Sequence, residues 1–331
     1  VGVVIALIEN IYTWFYQIFD WAGNNVLSTN STLNIDLNNI SFCHEINSPG
    51  TYHLDTNVVA TGSCFNITSN NVTFDCNGYT ITGPASGTNY GIFTNGYNKT
   101  VVNNCNIKNF QSQVYLAYSK DSVIQNSNFS NSIVTNFYGS RIENSNNITI
   151  SNLTVRAVQA SNVWGVYISN SANITLSTTT INPGSASGTG YGLYSLTSSY
   201  LNINSSTILP TTGGTSRGIY LSDNKNDLIR ETNLSTIEII GSSYSLSSNN
   251  TFLNTTENTI YTSGIGNQHY IKKWYFNSWV NDSTGPLDLA NYKIIDFSNS
   301  TVFDGITFLG NISEQQLTQR YYTNSTLYDL T

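Results

Sequence analysis

Methionine is missing from all 331 residues, charged side chains supply only 9% of them, and lysine and arginine together number 12. With 19 acidic residues the net charge is -7, so the electrostatic footprint that nucleic-acid binding requires is absent. The few basic residues are scattered, which also argues against recognition of an anionic membrane by a basic patch. No C-x-x-C pair occurs among the four cysteines, and His44 and His53 are the only histidines near them, so zinc ligands are not grouped tightly enough. A basic leader with a small-residue cleavage site is not seen, and a processed, mature N-terminus is therefore expected.

What is present points outward. Hydrophobic content is an ordinary 39%, so solubility must come from Asn, Ser, Thr and Tyr, helped by glycans. Seventeen N-x-[ST] sequons begin at Asn30, Asn39, Asn66, Asn71, Asn98, Asn128, Asn147, Asn152, Asn173, Asn204, Asn233, Asn249, Asn254, Asn281, Asn299, Asn311 and Asn324. A chain this rich in Asn, Ser and Thr also produces sequons by chance. Two disulfides are expected from Cys43, Cys64, Cys76 and Cys105.

A repeat organises the middle of the chain. The segments "GIFTNGYNKTVV", "VYLAYSKDSVI", "GVYISNSANITL", "GLYSLTSSYLNI" and "GIYLSDNKNDLI" share a short strand, an Asn/Ser turn and an alternating strand. Their first apolar residues, Ile92, Val114, Val166, Leu193 and Ile219, recur at roughly 22 to 27 residues, with one wider gap that can hold an additional turn. Very short strands at this period, with little helical periodicity, predict a parallel β-helix, because one coil cannot cover its inward residues and a stack can. A propeller would need blades of roughly 40 residues or more. Asn at the turns tolerates left-handed backbone geometry.

The same repeat bears on the cysteines. "VTFDCN" and "VVNNCN" look like equivalent strands of successive coils, which would set Cys76 above Cys105. Three pairings are possible; Cys76 with Cys105 and Cys43 with Cys64 are favoured.

The run "CHEINSPGTYHLDTNVVATGSCFNITSNNVTFDCNGYTITG" and the "GIY" and "GVY" coils, over residues 40 to about 260, resemble right-handed β-helix repeat proteins of the carbohydrate-binding and sugar-hydrolase type, especially those of archaeal cell surfaces. The resemblance implies the fold. It does not select among lyases, hydrolases, binding proteins and structural proteins.

The ends read differently. Over residues 1–24, Val1, Val4, Ile5, Ile8, Ile11, Tyr12, Phe15, Ile18 and Phe19 recur at helical spacing, with Glu9, Asn10, Thr13, Gln17 and Asp20 opposite and Gly23 as a stop. A hydrophobic α-helix is predicted there. It resembles the assembly helix of type IV pilins and archaeal filament subunits, although Glu9 is not where the bacterial pilin glutamate would fall; anchoring, or capping of the open first coil, are the alternatives. Residues 25–265 are assigned to the β-helix. Residues 266–331, with the strands "YIKKWYFNSWV", "LANYKIIDF" and "TVFDGITFL", are assigned to a small β-sandwich-like domain.

Chemistry is sparsely signalled. Asp75, Asp121, Glu143, Asp223, Asp227 and Glu231 are spread over different turns, and Arg141 with Glu143, or Arg230 with Glu231, read as surface pairs. "SDNKNDL" at 222–228 lacks the glycine and closing Glu of a calcium loop and reads as a polar turn. "GTGYG" at 188–192 leads into a strand, so a phosphate cradle is not expected. The 22 tyrosines could stack on sugars but would more commonly cover the coil sides.

The expectation is thus a mainly β protein, a right-handed parallel β-helix flanked by an N-terminal helix and a small C-terminal β-domain. It is expected outside the cell, without cofactor or metal and not an enzyme, polymerised with copies of itself into a pilus-like filament that contacts the membrane only before assembly. It would display glycans for adhesion and engage surface glycans. A non-polymerising carbohydrate-binding adhesin or surface-layer component, and a polysaccharide lyase or hydrolase, are the alternatives.

Overall fold

The computed structural model describes residues 38–264, apart from 132–133, 158, 242–246 and 257–258, together with backbone segments between 10 and 35 and between 268 and 329. The central part is a right-handed parallel β-solenoid of about eight turns. One coil runs through Tyr90–Asn95, Val101–Asn103 and Asn106–Lys108 before the next opens at Ser112–Ala117. Each strand pairs in parallel with its equivalent one coil on; Val101, for example, sits beside Thr73 on one side and Val123 on the other.

The corners explain the asparagines. Three columns of residues with positive φ run along the stack: Asn104, Asn126 and Asn152 in one, Asp121, Asn147 and Asn173 in a second, Tyr118, Asn144 and Asn170 in a third. Turning a strand through one left-handed residue suits Asn best after Gly. The columns bond along the axis, as where Asn152 donates to Asn126 Oδ1 at 2.9 Å. Just inside one corner, a second ladder saturates buried amides: Ser119 N donates to Ser145 Oγ, Ser145 N to Ser171 Oγ, Ser171 N to Ser198 Oγ and Ser198 N to Asn224 Oδ1.

Alternation does the rest. In Ala172–Ser177 the residues Ile174 and Leu176 point inward and are fully buried, and the inward positions of every coil join in one core holding Phe65, Phe74, Phe129, Phe137 and Phe252. The wide gap in the repeat holds a further coil, whose strand Val134–Glu143 sets Ser140 where Val114 and Val166 stand before and after it. A polar residue at the inward position hid that coil from the apolar pattern.

The glycine that opens "GVY" has a steric cause. A Cβ on Gly165 would lie 2.5 Å from the Gly192 carbonyl oxygen and collide with Ile181, and Gly91 and Gly192 are similarly confined by the coil that follows. Gly165→Ala is expected to cost about 1–3 kcal/mol, seen as a lower denaturation midpoint without loss of slope.

The cysteines pair as Cys43–Cys64 and Cys76–Cys105, with Cα atoms 4.5 and 4.8 Å apart. The second links successive coils, next to the register Asp75 with Asn103. Replacing Cys76 and Cys105 by serine should remove roughly 3–4 kcal/mol, the chain-entropy value for the loop of 29 residues they close, and lower the melting temperature.

The N-terminal segment departs from the sequence reading. Among the described residues there is no helix: Asn10–Trp14, which holds Ile11 and Tyr12, pairs antiparallel with Ser31–Ile35, and Gln17–Phe19, which holds Ile18 and Phe19, pairs with Asn25–Leu27. Val1, Val4, Ile5, Ile8 and Phe15 lie outside the described residues. "IYTWFYQIF" is dominated by β-branched and aromatic side chains, which prefer the pleated backbone, and that preference prevails over a rough helical spacing. At the other end, Gln268–Trp279 continues the solenoid ladder in parallel with Ser247–Leu253 and then pairs antiparallel with Asn311–Thr323.

Candidate functional site

One of the three faces carries most of the outward aromatic residues. Its strands include Tyr90–Asn95, Ser112–Ala117, Val134–Glu143, Gln159–Ser169, Thr189–Leu196, Thr215–Ser222, Thr236–Gly241 and Thr259–Gly264. The register lines up Phe93, Tyr115, Arg141, Tyr167, Tyr194, Tyr220, Glu238 and Tyr261 in a single row along the axis. A parallel row beside it holds Tyr138, Trp164, Tyr191 and Arg217. Neighbouring rungs are ~4.8 Å apart, so the aromatic groups stack. Tyr138 lies on Trp164 at 4.6 Å and 7°, and Tyr194 on Tyr220 at 4.6 Å and 4°. Tyr167 meets Tyr194 at 5.4 Å and 3°.

Two ion pairs interrupt the rings. Arg141 donates from Nε and Nη2 to Glu143 Oε1 at 3.0 and 2.9 Å, while the Tyr115 hydroxyl donates to Glu143 Oε2 at 2.6 Å. The guanidinium lies 4.4 Å from the centre of the Tyr115 ring and 5.2 Å from that of Tyr138. Arg217 pairs with Glu238 at 3.1 Å and lies 4.7 Å from the Tyr261 ring centre. Arg141 and Glu143 meet because residues two apart on a strand share a face.

Burial sets the protonation of this face. It raises the phenols of Tyr138, Tyr191 and Tyr220, and pushes Tyr194 up to about 12. Tyr115 is raised further, first by burial and then by its bond to Glu143. Burial opposes the charge on Arg141, but the hydrogen bond to Glu143 and the negative charge around the guanidinium together outweigh it. The tyrosines therefore stay protonated and the arginine stays charged across the physiological range.

A cleft of about 590 Å³ opens at the edge of this face, lined by Ser86, Thr88, Gln111, Asn136, Ser161 and Ser187 among others. Asn136 shares the outward side of its strand with Tyr138, and it accepts a hydrogen bond from Asn162 at 2.9 Å. Among the described residues, the cleft walls carry no ionisable side chain.

Other sequence candidates fall elsewhere. In "SDNKNDL" the side chains of Asn224 and Asp227 turn into the core: Asp227 accepts from Leu201 N at 2.9 Å and from Asn224 Nδ2 at 2.9 Å. Burial pushes its carboxyl up to about 7 against those two bonds. Asp75 accepts from Asn103 at 2.7 Å, and Asp121 from Asn147 at 2.6 Å, so both brace corners. No group of three or more His, Cys, Asp or Glu could hold a metal among the described residues. Of the sequons, Asn71, Asn147, Asn152, Asn173, Asn249 and Asn254 occupy left-handed corners, Asn39, Asn128 and Asn233 lie exposed on strands, and Asn66, Asn98 and Asn204 are half-buried. Asn281 and Asn311 begin strands, and Asn30, Asn299 and Asn324 lie outside the described residues.

Comparison with known proteins places the fold. Residues 90–228 match the family model for a right handed beta helix region. No curated protein matches the sequence. Among solved structures the chain is similar to the A-module of the mannuronan C-5 epimerase AlgE4 of Azotobacter vinelandii, with 10% identity and a TM-score of 0.29 over 65% of this chain and 79% of that one.

These findings correct the expectation that the chain is not an enzyme. A right handed beta helix region by itself decides neither for nor against catalysis, so sparse ionisable residues give no ground for excluding it. The physical reason lies in the stacking: Tyr115 and Glu143, 28 residues apart, are in contact one rung from each other.

Proposed function

We propose that this protein is an extracellular carbohydrate-binding β-helix whose aromatic face takes up a glycan chain lying along the solenoid axis. The supporting observation is the row from Phe93 to Tyr261, in which aromatic rings repeat at rung spacing with Arg–Glu pairs set among them. Sugars offer apolar C–H faces and dense hydroxyls, and the row offers both complements. Two disulfides are compatible with an oxidising exterior. The surface glycan is the partner in this proposal. A carbohydrate-binding surface protein is preferred to a pilus subunit, since the described part of residues 1–24 supplies strands and not an assembly helix. The division into an N-terminal segment, the β-helix and a C-terminal β-domain belongs to the same proposal.

Calorimetric titration of the disulfide-bonded protein with soluble polysaccharides tests it, read alongside the fluorescence of Trp164 against Tyr138. Saturable heat with at least one polymer is expected; no binding to any of a broad panel would defeat the proposal.

Catalysis on the bound glycan is favoured by one observation, the contact of a carboxylate, a guanidinium and a phenol at Glu143, Arg141 and Tyr115. New chain ends or altered sugars after incubation, lost in Glu143→Gln, would establish it.

A further inference from the structure

The aromatic face is electrically closed, and this bears on which glycans it can hold. Between Phe93 and Tyr261 the strands of the face contribute four ionised side chains, Arg141, Glu143, Arg217 and Glu238, and each cation already has its carboxylate, at 2.9 and 3.1 Å. Both pairs are substantially shielded, with side-chain exposures of 24% and 18% in the first and 25% and 16% in the second. Breaking such a pair to bind a foreign anion would leave a shielded carboxylate without its cation. The tyrosines add no charge, because a phenol is neutral at physiological pH, and burial raises those of Tyr138, Tyr194 and Tyr220 further. The cleft at the edge adds only amides and hydroxyls. Around this neutral face the chain as a whole carries -7, which repels a polyanion during approach.

From these observations we infer that the glycan recognised by this face is a neutral one, a polymer of uncharged sugars, and that Glu143 and Glu238 are the specificity-determining residues that keep acidic polymers out. This rests on the carbohydrate-binding function proposed above. The positive case is as direct as the exclusion. A sugar hydroxyl both donates and accepts, and an Arg–Glu pair is a donor beside an acceptor, so each pair suits a neutral diol without net charge transfer. Arg141 spends Nε and Nη2 on Glu143, and its remaining terminal nitrogen takes no part in those bonds. The two pairs stand three strands apart, about 14 Å along the axis at ~4.8 Å per rung. Between them lie Trp164, Tyr167, Tyr191 and Tyr194, an uncharged stretch long enough for a few sugar units. Uncharged cleft walls beside Tyr138 extend the same chemistry sideways, where a branch or chain end of a neutral polymer fits.

The test uses the disulfide-bonded full chain and two sets of polymers, mixed-linkage β-glucan, galactomannan and starch against alginate and polygalacturonate. Affinity is measured by calorimetry or affinity electrophoresis at about 0.05 and 0.5 M salt, between which charge attraction is strongly screened. Binding of a neutral polymer, unchanged by salt, is expected, with acidic polymers at least tenfold weaker. The double variant Glu143→Gln, Glu238→Gln keeps side-chain shape and an acceptor for Tyr115 while releasing both guanidiniums. It should gain at least tenfold affinity for alginate or polygalacturonate, and that gain should disappear in high salt. Salt-sensitive binding of an acidic polymer alone by the unaltered chain overturns the inference and leaves the carbohydrate-binding function standing. A folded double variant without such gain overturns the role of the carboxylates. Binding of no polymer at all overturns the underlying function as well.

Discussion

Replacing Tyr167 and Tyr194 together by alanine is expected to lower glycan affinity about a hundredfold. The two rings sit on neighbouring rungs, parallel within 3°, in the middle of the row. Removing an aromatic platform from a stacked ligand costs about 1–3 kcal/mol per ring where this has been measured with nucleobases, and tenfold in affinity is 1.4 kcal/mol. The rings also stack on each other and on Tyr220, so the alanine variant loses some stability. Tyr167→Phe with Tyr194→Phe separates the two effects. It retains the rings and their packing, and removes only hydroxyls. Its melting temperature should stay close to that of the unaltered chain, with affinity reduced by about tenfold or less. If the alanine variant folds and binds every polymer with undiminished affinity, the aromatic row serves packing alone.

The second large effect concerns pH. Asp227 is 1% exposed, wedged between Asn224 and the Leu201 amide in the last coils, and burial raises its carboxyl from 3.8 to about 7. In the unfolded chain the same group ionises near its ordinary value. Between pH 4 and 7 the folded state therefore holds a proton that the unfolded state has released, and stability must fall as pH rises through that window. Below about 4 both states are protonated and the contribution is fully present; above about 7 it is gone. The interval between 3.8 and about 7 corresponds to on the order of 4 kcal/mol at 1.36 kcal/mol for each pH unit. Urea denaturation of the unaltered chain should show a decline in stability from acid to neutral pH, and Asp227→Asn should flatten it. An unchanged slope in the variant would mean that other carboxylates carry the dependence.

Much of the fold was visible in the repeat because a solenoid writes each coil locally. The inward apolar residues Ile92, Val114, Val166, Leu193 and Ile219 mark equivalent strands, and "VTFDCN" and "VVNNCN" do lie on neighbouring coils, although the paired register is one residue off the string match, with Thr73 beside Val101 and Asp75 beside Asn103. The coil around Ser140 showed only as a wider gap able to hold an additional turn, because an inward serine erases the apolar mark. Residues 10–19 misled for another reason. An apolar run with aromatic residues satisfies a loose helical spacing and a strand equally well, and pairing with Ser31–Ile35 and Asn25–Leu27 is a long-range matter that spacing does not report.

The candidate site was less visible than the fold. Arg141 and Glu143 stand two apart on a strand, which already places them on one side, but the sequence reading left them as an ordinary surface pair. Their third partner, Tyr115, arrives from the preceding coil, and the rings of Phe93, Tyr167, Tyr194 and Tyr220 are separated by unequal intervals because the loops between coils vary in length. Asp227 looked like a turn residue since its neighbours are polar. The left-handed residues Asp223 and Asn226 shape the turn that buries Asn224 and Asp227.

The sequence by itself determined the coil, since a short apolar alternation with an Asn corner closes on itself through local geometry and can be satisfied only by another coil of the same kind. Tertiary structure decided what the outer surface offers, because outward side chains face no local constraint and become neighbours only when hydrogen-bonded register stacks one rung on the next. That is why the core could be read along the chain, while the aromatic row and its paired charges exist only across it.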